Sequence, residues 1–580
     1  MSEFSWKIGG EAGYGIMTAG FIFGKSFVRS GLFVFDTNEY PSLIRGGHNT
    51  YTVRVSEEPV FSHVKDIDIL VALTDAAIEK NGKEVKRGGF IIYDEGYVEI
   101  KDELKDMQLI PVPLTQIALE KGGEKIMRNN VALGASFALI DVNPEVLYDM
   151  IKETFGGKKG QEIAEKNTSV ARAGYEYVKE KFPNIKRIKI RADTRKRMMY
   201  ITGNEAIAIG AIKAGCKFYS AYPMTPASSI MHFLAAREFD YNIIVKQTED
   251  EIAAIHMAIG ASFAGVRAMT ATSGGGFALM TEALGLSAMT ETPIVIVLAQ
   301  RPGPSTGMPT HTEQGDLRFA MHASNGEFPR VVIAPGDVSE CFYETFNAFN
   351  IAEKYQLPVI IITDKFLAES HWTVEKFFLK DLKIDRGMLL TDDELKRIED
   401  YKRYENTITG ISPRALPSQE NGIFKAATDE HDEYGNINED ASNRIMQVDK
   451  RFRKIKVLEA EIEGAKVYGD ADADVTLIGW GSTKGPILEA MKILSKKGIK
   501  LNYLQILYIM PFPKNKVKFV LEEAKKRILI ENNKTAQLGS VIKEETGVDV
   551  DYKILKYDGR PFLPEEIAAK VEEVLTYDKL

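Results

Sequence analysis

The feature that most constrains the fold is the run of residues 293–299, Pro-Ile-Val-Ile-Val-Leu-Ala, which contains no polar side chain. Such a strand must be covered on both faces, which is typical of a parallel sheet packed between helices. Residues 358–363, Pro-Val-Ile-Ile-Ile-Thr, are mostly apolar and are predicted to be the last strand of the same domain. Because open α/β sheets bind ligands at the carboxyl ends of their strands, the residues that follow each strand are the candidate site.

The first candidate loop follows the aromatic run at residues 217–222. Pro223 and Pro226 end this strand and stiffen the turn, which leaves the hydroxyl group of Thr225 free to face a ligand. Ser228 and Ser229 are of the residue types that cap helices, and a helix is expected directly after them. A capped strand–helix turn without chemistry explains the same pattern, so both interpretations stand.

The second candidate loop follows a strand at residues 243–246 and ends at Glu251, which opens a helix of small apolar residues. An acidic residue in a first helical turn complements the helix dipole, and that role alone would account for Glu251. Since the helix is nearly all apolar, we expect it to be buried, and burial would raise the pKa of Glu251. Glu249 and Asp250 are predicted to be solvated loop acids.

Two more strand ends carry candidate residues. Arg301 follows the run at residues 293–299, where its guanidinium group can grip a carboxylate through two hydrogen bonds. The alternative is a structural arginine that neutralises a nearby acid. Ser273 and Gly274 form a further strand–turn–helix corner, for which a capped helix start is the alternative.

Taken together, these loops resemble the thiamine-diphosphate-dependent 2-oxoacid:ferredoxin oxidoreductases, whose α subunit carries a Tyr-Pro-Ile-Thr-Pro-Ser-Ser signature. Residues 222–228 match it, with Met224 in place of Ile and Ala227 in place of the first Ser. The resemblance implies that Thr225 contacts the 2-oxoacid and that Arg301 binds the substrate carboxylate.

The same resemblance implies that Glu251 binds the aminopyrimidine of thiamine, so that Glu251, Thr225 and Arg301 are the catalytic residues. The residues expected to bind the cofactor are Glu251, Pro223, Thr225, Ser273 and Gly274.

The N-terminal region resembles the family's γ subunit, fused here ahead of α. Its Gly-rich turn at residues 9–15 and its Pro-Ser-x-x-Arg-Gly-Gly segment at residues 41–47 carry this likeness. A Gly-rich turn between strand and helix can cradle phosphate, but tight strand–helix packing explains it better, since the spacing fits no nucleotide motif. A basic, polar stretch near residues 184–197 is expected to be the linker.

The chain is therefore expected to be a multidomain α/β protein. The predicted domains are a γ-type α/β domain at residues 1–190, a doubly wound pyrimidine-type thiamine-binding domain at 198–373, a charged inter-domain arm at 374–465 and a transketolase C-terminal-like α/β domain at 466–580. In the arm, the acids around His431 suggest a metal ligand, but we expect a solvated loop, since one histidine among flexible acids lacks ligand geometry.

Composition limits what this chain can do alone. Two cysteines among 580 residues cannot ligate an iron–sulfur cluster, and the Gly-Asp-Gly motif that holds Mg²⁺ and diphosphate in thiamine enzymes does not occur. The resemblance then implies that thiamine diphosphate is shared with a β subunit that carries the Mg²⁺ site and the cluster. No metal is expected on this chain.

Charge and hydropathy restrict the partners and the location. A net charge of −8 argues against nucleic acid as a main partner. The sequence contains no apolar run of the length of a membrane span and no secretory signal, so a cytoplasmic protein without membrane contact is expected.

The function implied by the resemblance is coenzyme A-dependent oxidative decarboxylation of a 2-oxoacid to acyl-CoA and CO₂, with electrons passed to ferredoxin. The γ–α fusion favours 2-oxoglutarate or a broad substrate range, and an (αβ)₂ heterotetramer is expected. Two alternatives are another thiamine enzyme of the transketolase or 2-oxoacid dehydrogenase type, and a non-catalytic assembly subunit.

Overall fold

The computed structural model describes residues 2–43, 46–104, 106–193, 195 and 197–577. Ile44 and Arg45 of the Pro-Ser-x-x-Arg-Gly-Gly segment, and Thr194 and Lys196 of the expected linker, lie outside the described residues. The chain forms two compact units. The first unit comprises Met1–Ile201, Glu369–Phe377 and Leu563–Glu566, and the second comprises Thr202–Ala368, Phe378–Phe562 and Ile567–Leu580.

Strands and helices alternate along much of the chain. The strands are β1 (Glu3–Glu11), β2 (Phe33–Glu39), β3 (His48–Ser56), β4 (Ile67–Ala72), β5 (Val85–Asp94), β6 (Gln108–Val112), β7 (Met199–Thr202), β8 (Cys216–Ala221), β9 (Ile244–Gln247), β10 (Arg267–Thr272), β11 (Ile294–Gln300), β12 (Val331–Ile333), β13 (Pro358–Asp364), β14 (His371–Val374), β15 (Ala465–Gly469), β16 (Val475–Gly479), β17 (Leu501–Ile506), β18 (Tyr508–Met510), β19 (Arg527–Glu531) and β20 (Tyr552–Leu555).

The helices are α1 (Ile16–Arg29), α2 (Asp75–Asn81), α3 (Leu114–Lys121), α4 (Arg128–Ala138), α5 (Glu145–Lys159), α6 (Gln161–Lys181), α7 (Gly203–Lys213), α8 (Ser228–Ala235), α9 (Glu238–Tyr241), α10 (Glu251–Phe263), α11 (Gly274–Met289), α12 (Leu317–His322), α13 (Val338–Tyr355), α14 (Lys365–Glu369), α15 (Asp392–Leu395), α16 (Ala441–Glu461), α17 (Lys484–Ser495), α18 (Lys514–Glu523), α19 (Gln537–Thr546) and α20 (Pro564–Tyr577). Among the described helices, none is both long and apolar enough to cross a membrane.

The first unit is built on a mixed sheet with the strand order β6-β5-β4-β1-β3-β2-β14-β7. At the start of the Gly-rich turn, helices pack closely on β1: a Cβ atom on Gly9 would lie 2.9 Å from the Cβ atom of Ala77, and one on Gly10 would lie 3.0 Å from Cδ1 of Ile16. The absence of side chains at Gly9 and Gly10 is therefore required by packing, as the second interpretation of this turn states.

The second unit contains a seven-stranded sheet with the order β18-β12-β13-β11-β10-β8-β9. The strands from β12 to β9 are parallel, and only β18 at the far edge is antiparallel. Every residue of β11 and of β13 is buried. The apolar runs at residues 293–299 and 358–363 are thus buried parallel strands, and the predicted α/β fold class is confirmed.

A second sheet of this unit has the order β15-β17-β16-β19-β20. Its strands β17, β16, β19 and β20 are parallel, as the alternating pattern after residue 474 predicts, and β15 pairs antiparallel to β17. The chain between β17 and α18 then adds β18 to the edge of the seven-stranded sheet. The two sheets share one hydrophobic core, in which Ile296 and Ile360 cluster with Leu504 and Ile509.

The prediction of a solvated loop around His431 is wrong. The His431 side chain is fully buried and packs on the ring of Tyr404, with ring centroids 4.0 Å apart. Its Nδ1 lies 3.0 Å from the carbonyl oxygen of Asp432 and its Nε2 lies 3.1 Å from that of Met289. A backbone carbonyl oxygen thus lies within hydrogen-bond distance of each ring nitrogen.

The charged segment that contains His431 is anchored by buried ion pairs. Lys450 and Lys454 of α16 are fully buried and both bind the carboxylate of Glu291. Burial alone would raise the pKa of Glu291, but these two ammonium groups lower it overall. Some charged residues of the segment are therefore paired inside the protein, and the segment is not a wholly solvated arm.

Candidate active site

The predicted site residues converge at one edge of the seven-stranded sheet. Thr225 follows β8, Glu251 follows β9, Gly274 follows β10 and Arg301 follows β11. These four strands are neighbours in the order β11-β10-β8-β9 and run parallel, so their carboxyl ends share one edge. The structure thus brings the loops of the sequence analysis together, as expected for a ligand site of an open α/β sheet.

Glu251 is the first residue of α10, and 3% of it is exposed. Its carboxylate points inward, where Oε1 lies 3.5 Å from the hydroxyl oxygen of Thr272. Burial raises the pKa of Glu251, although hydrogen bonding and the charge of Arg301 act in the opposite direction. The expected rise in the pKa of this carboxyl is confirmed.

Asp250, and not Glu251, provides the cap of α10. The Asp250 carboxylate accepts a hydrogen bond of 2.8 Å from the backbone N–H of Ala253. The prediction that Asp250 is a solvated loop acid is therefore wrong, because its position one residue before the helix suits an N-cap. With the cap supplied by its neighbour, Glu251 has no capping bond to make and its carboxylate is available for another role.

The expectation that α10 is buried on all sides is also wrong. Ala254, Ile255 and Ala258 are buried, but Ile252 and Met257 are 44% and 39% exposed. The pattern of small apolar residues extends around the whole helix, so periodicity alone does not separate the core-facing side from the other. The second unit therefore presents an apolar helix face to its surroundings, directly beside Glu251.

Arg301 connects two of the predicted motifs. Its Nη1 donates a hydrogen bond of 2.9 Å to the backbone carbonyl oxygen of Thr225. Burial lowers the pKa of Arg301, and the nearby charge of Glu251 opposes that change. In the described part of the chain no carboxylate lies within ion-pair distance of its guanidinium group. Arg301 is half-buried, so its remaining N–H groups can still bind a ligand.

The serines of the signature do not cap the helix that follows. Helix α8 begins at Ser228 with Ala227 in the N-cap position, and no side chain caps it. The Oγ atom of Ser229 instead accepts a hydrogen bond of 2.8 Å from the side-chain amide of Asn204. The prediction that Ser228 and Ser229 cap the helix is thus wrong, because the Ser229 hydroxyl group bonds to Asn204 of α7.

Ser273 and Gly274 lie at the start of α11. Ser273 is fully buried, and its hydroxyl oxygen has no hydrogen-bond partner among the described residues. It makes no capping bond, so the alternative of a side-chain-capped helix start does not hold. A Cβ atom on Gly274 would lie 2.4 Å from Oδ2 of Asp316. The unpartnered hydroxyl group of Ser273 and the carboxyl group of Asp316 therefore both lie at the N-terminal end of α11.

Three residues of this site were not predicted from the sequence: Thr272, Gly276 and Asp316. Burial raises the pKa of Asp316 to about 6, and Thr272 contacts Glu251 as described above. Gly276 makes room for both, since a Cβ atom there would lie 2.0 Å from Oγ1 of Thr272 and 2.4 Å from Oε1 of Glu251. The triple glycine was visible in the sequence, but which glycine faces the carboxylate depends on how α11 is oriented.

We expect Gly276→Ala to displace the carboxylate of Glu251 and to lower activity by about 100-fold, as misplacements of about 1 Å do. The added methyl group should also destabilise the fold by about 1–3 kcal/mol. Gly275→Ala is the matched control, because its Cβ atom would meet only the Ser305 carbonyl oxygen, at 3.9 Å. Activity assays and thermal unfolding of both variants test this, and equal activities would contradict it.

Three family models match successive parts of the chain. Residues 209–450 match the family model described as pyruvate flavodoxin/ferredoxin oxidoreductase, thiamine diphosphate-binding, so the site lies in a thiamine-diphosphate-binding domain. Residues 5–177 match the pyruvate ferredoxin/flavodoxin oxidoreductase model, and residues 473–575 match core domain II of pyruvate:ferredoxin oxidoreductase.

Curated relatives align over almost the whole chain. The 2-oxoacid:ferredoxin oxidoreductase subunit alpha of a Sulfolobus species is 36% identical and covers 99% of this chain and 97% of its own length. The 2-oxoglutarate oxidoreductase subunit KorA of Mycobacterium tuberculosis is 30% identical, with 98% of this chain and 91% of that protein aligned.

A solved structure shows the same architecture. The 2-oxoglutarate:ferredoxin oxidoreductase of Magnetococcus marinus, determined with 2-oxoglutarate, coenzyme A and succinyl-CoA bound, superposes with a TM-score of 0.92 at 34% identity over 99% of each chain. The chain belongs to the 2-oxoacid:ferredoxin oxidoreductase family and is of its alpha-subunit type. The resemblance read from residues 222–228 is confirmed.

Proposed function

We propose that this chain, with a β subunit, converts a 2-oxoacid, coenzyme A and two oxidised ferredoxins into acyl-CoA, CO₂, a proton and two reduced ferredoxins. The observation that carries the proposal is the placement of a buried carboxylate, Glu251, and a guanidinium group with free donors, Arg301, at one sheet edge. The names of the relatives and the ligands of the Magnetococcus marinus structure support 2-oxoglutarate within the substrate range.

The residues of this edge suit thiamine diphosphate. The unpartnered hydroxyl group of buried Ser273 is a feature that a bound cofactor would use, and Gly276 leaves room for the inward-pointing carboxylate of Glu251. We place Glu251 at the aminopyrimidine, with Pro223, Thr225, Ser273 and Gly274 around the cofactor. When bound, thiamine diphosphate supplies the electron sink that allows the 2-oxoacid to lose CO₂.

Glu251 acts in this proposal by holding and moving a proton at its carboxyl oxygen. Burial raises the pKa of Glu251 above that of a solvated glutamate. A higher pKa favours proton exchange with a bound nitrogen. Thr272 donates to Oε1 and keeps the carboxylate turned inward. Asp250 caps the helix in its place, so the two neighbouring acids have separate tasks.

Arg301 and Thr225 recognise the 2-oxoacid. The bond from Nη1 of Arg301 to the Thr225 carbonyl holds the guanidinium plane against the signature loop. Its other N–H groups are then oriented to bind the substrate carboxylate through two hydrogen bonds. The Thr225 hydroxyl group supplies one further bond to the substrate.

The cofactor site is completed by a β subunit in this proposal. The sequence contains no Gly-Asp-Gly motif and only two cysteines, so the Mg²⁺ site and the iron–sulfur cluster are assigned to β. The exposed apolar residues Ile252 and Met257 on α10 and Leu279 on α11 belong to the surface that β would cover. Two such pairs make the proposed (αβ)₂ heterotetramer.

The test is co-purification of the chain with its β subunit, followed by an assay of several 2-oxoacids with coenzyme A and ferredoxin. We expect the chain alone to be inactive and colourless, and the complex to be brown and active. A cluster absorption band in the purified chain, or turnover without β, would contradict the assignment of cofactors. A complex that reduces ferredoxin with no 2-oxoacid would contradict the proposed reaction.

A further inference from the structure

Arg330 is a buried cation without an anionic partner. It directly precedes β12, and 4% of it is exposed. Its Nη1 donates to the carbonyl oxygen of Ala323, and its guanidinium carbon lies 4.2 Å from the ring centroid of Phe328. Its Nε is buried and has no hydrogen-bond partner in the described chain. No carboxylate of the described residues lies within ion-pair distance of this group.

Several other buried cations of the second unit are paired with carboxylates. Arg267 and Arg414 bind the two carboxylate oxygens of Glu353 at 2.7 Å and 2.9 Å, and Lys450 binds Glu291 at 2.5 Å. Burial of a charge without a partner is unfavourable, and proteins therefore pair such groups or bring an anion to them. Arg330 differs from these three residues, because no carboxylate neutralises its charge.

Arg330 lines a cavity of about 460 Å³ in the second unit. The walls are partly apolar and partly polar and come from α12, the loop before β12, α16, the segment after β18 and α19. The apolar lining includes Met321, Phe328, Phe452, Ile455, Met510 and Phe512. None of the proposed active-site residues lines this cavity, so it is a separate site.

The charges at the rim do not reach Arg330. Glu459, Glu463 and Glu545 line the cavity, but burial alone lowers the pKa of Arg330 to about 10, with no contribution from a carboxylate. Glu463 forms an ion pair with Lys516. The cavity therefore combines the guanidinium group of Arg330, which no carboxylate neutralises, with apolar and aromatic side chains, and Lys514 and Lys516 also belong to its lining.

We propose that this cavity binds an organic carboxylate with an apolar or aromatic body. The carboxylate accepts a hydrogen bond from Nη2 of Arg330, the terminal nitrogen that the Ala323 carbonyl leaves free. The apolar body packs against Phe452, Met510 and Phe512. A charge-assisted hydrogen bond of this kind favours a carboxylate over a neutral ligand of the same shape.

A purely structural role for Arg330 is the competing explanation. Its bond to Ala323 spans the loop between α12 and β12 and would hold that loop in place without any ligand. The two explanations differ in one respect. A structural arginine makes the cavity no more attractive to an anion than to a neutral molecule, whereas a binding arginine discriminates between them.

The test uses the complex with the β subunit, without coenzyme A and with 2-oxoglutarate in excess to occupy the proposed active site. Isothermal titration calorimetry compares 4-phenylbutyrate with its neutral counterpart 4-phenyl-1-butanol. We expect the acid to bind about 10- to 100-fold more tightly than the alcohol, as a hydrogen bond to a charged group provides. Equal affinities, or no binding of the acid, would overturn the proposal.

Variants assign the discrimination to Arg330. Arg330→Met keeps an apolar stem on Phe328 and should lower the affinity for the acid to that for the alcohol. Arg237→Met is the matched control, because Arg237 also stacks on a phenylalanine, Phe233, at 3.7 Å and lies outside the cavity. If Arg330→Met retains the preference for the acid, the proposal fails.

A second variant covers the case in which Arg330→Met does not fold. Phe452 lies at the mouth of the cavity and is 40% exposed, so Phe452→Glu should be tolerated. Its added carboxylate should weaken binding of 4-phenylbutyrate more than binding of 4-phenyl-1-butanol. An equal effect on both ligands would contradict a carboxylate site.

Discussion

Replacing Glu251 by Gln is expected to lower kcat of the complex with the β subunit by about 10²–10⁴-fold, the usual contribution of a general acid–base group. Gln keeps the size of the side chain and can still accept the bond from Thr272, but it cannot hold and release a proton. Glu249→Gln is the matched control, since Glu249 is an exposed acid of the same loop. Steady-state kinetics of both variants provide the measurement. A Glu251→Gln enzyme with more than about a third of normal turnover would exclude the role.

The stability of the same variant tests the burial of the carboxylate independently of activity. The pKa of Glu251 is raised above its ordinary value of 4.5 in the folded chain, so the unfolded chain loses this proton at lower pH. The wild-type fold therefore loses stability as pH rises from 4.5 through the folded pKa, whereas Glu251→Gln does not. Thermal unfolding of both proteins at pH 4.5 and pH 8 should show a gain for the variant, relative to wild type, at the higher pH only.

Replacing Arg301 by Lys is expected to raise KM for the 2-oxoacid by roughly 10- to 150-fold, which corresponds to the loss of about 1.5–3 kcal/mol from a charge-assisted pair. A lysine keeps the charge but cannot bind both carboxylate oxygens, and it also weakens the contact with the Thr225 carbonyl. Arg318→Lys is the control, since Arg318 lies on α12 and pairs with Glu544 at 2.6 Å. Kinetics with several 2-oxoacids provide the test, and an unchanged KM for every acid would make Arg301 a structural residue.

Thr225→Val separates the two substrate contacts within the same experiment. This substitution preserves the shape of the side chain and removes one hydroxyl group, so we expect a smaller loss of about 1 kcal/mol in binding. The backbone carbonyl that Arg301 contacts is unaffected. If the loss is larger and confined to kcat, the hydroxyl group acts in the transition state and not on bound substrate.

Much of the architecture was predictable because burial leaves a local pattern. The runs at residues 293–299 and 358–363 are apolar on both faces, and both proved to be fully buried parallel strands. The positions of Thr225, Glu251 and Arg301 after β8, β9 and β11 then followed from the general rule for open sheets.

The errors arose where a local pattern has two outcomes. Ser228 and Ser229 are good capping residues, yet Ser229 bonds to Asn204 of α7, which is distant in sequence. The acidic residues around His431 are typical of a solvated loop when only the sequence is considered. Contacts with residues distant in sequence nevertheless bury the histidine. Helix α10 is apolar around its circumference, so only packing decided which of its faces stays exposed.

The sequence by itself determined the positions of the buried strands, the family signature and the lack of iron–sulfur and diphosphate motifs. Each of these depends on residue type and local spacing. Tertiary structure alone decided that Gly276 leaves room for the Glu251 carboxylate, that Asp316 lies against the mouth of α11 and that Arg330 is buried without an anion. These features depend on the distances between side chains from separate elements. Such distances are set by how helices and strands pack, and no local sequence pattern records them.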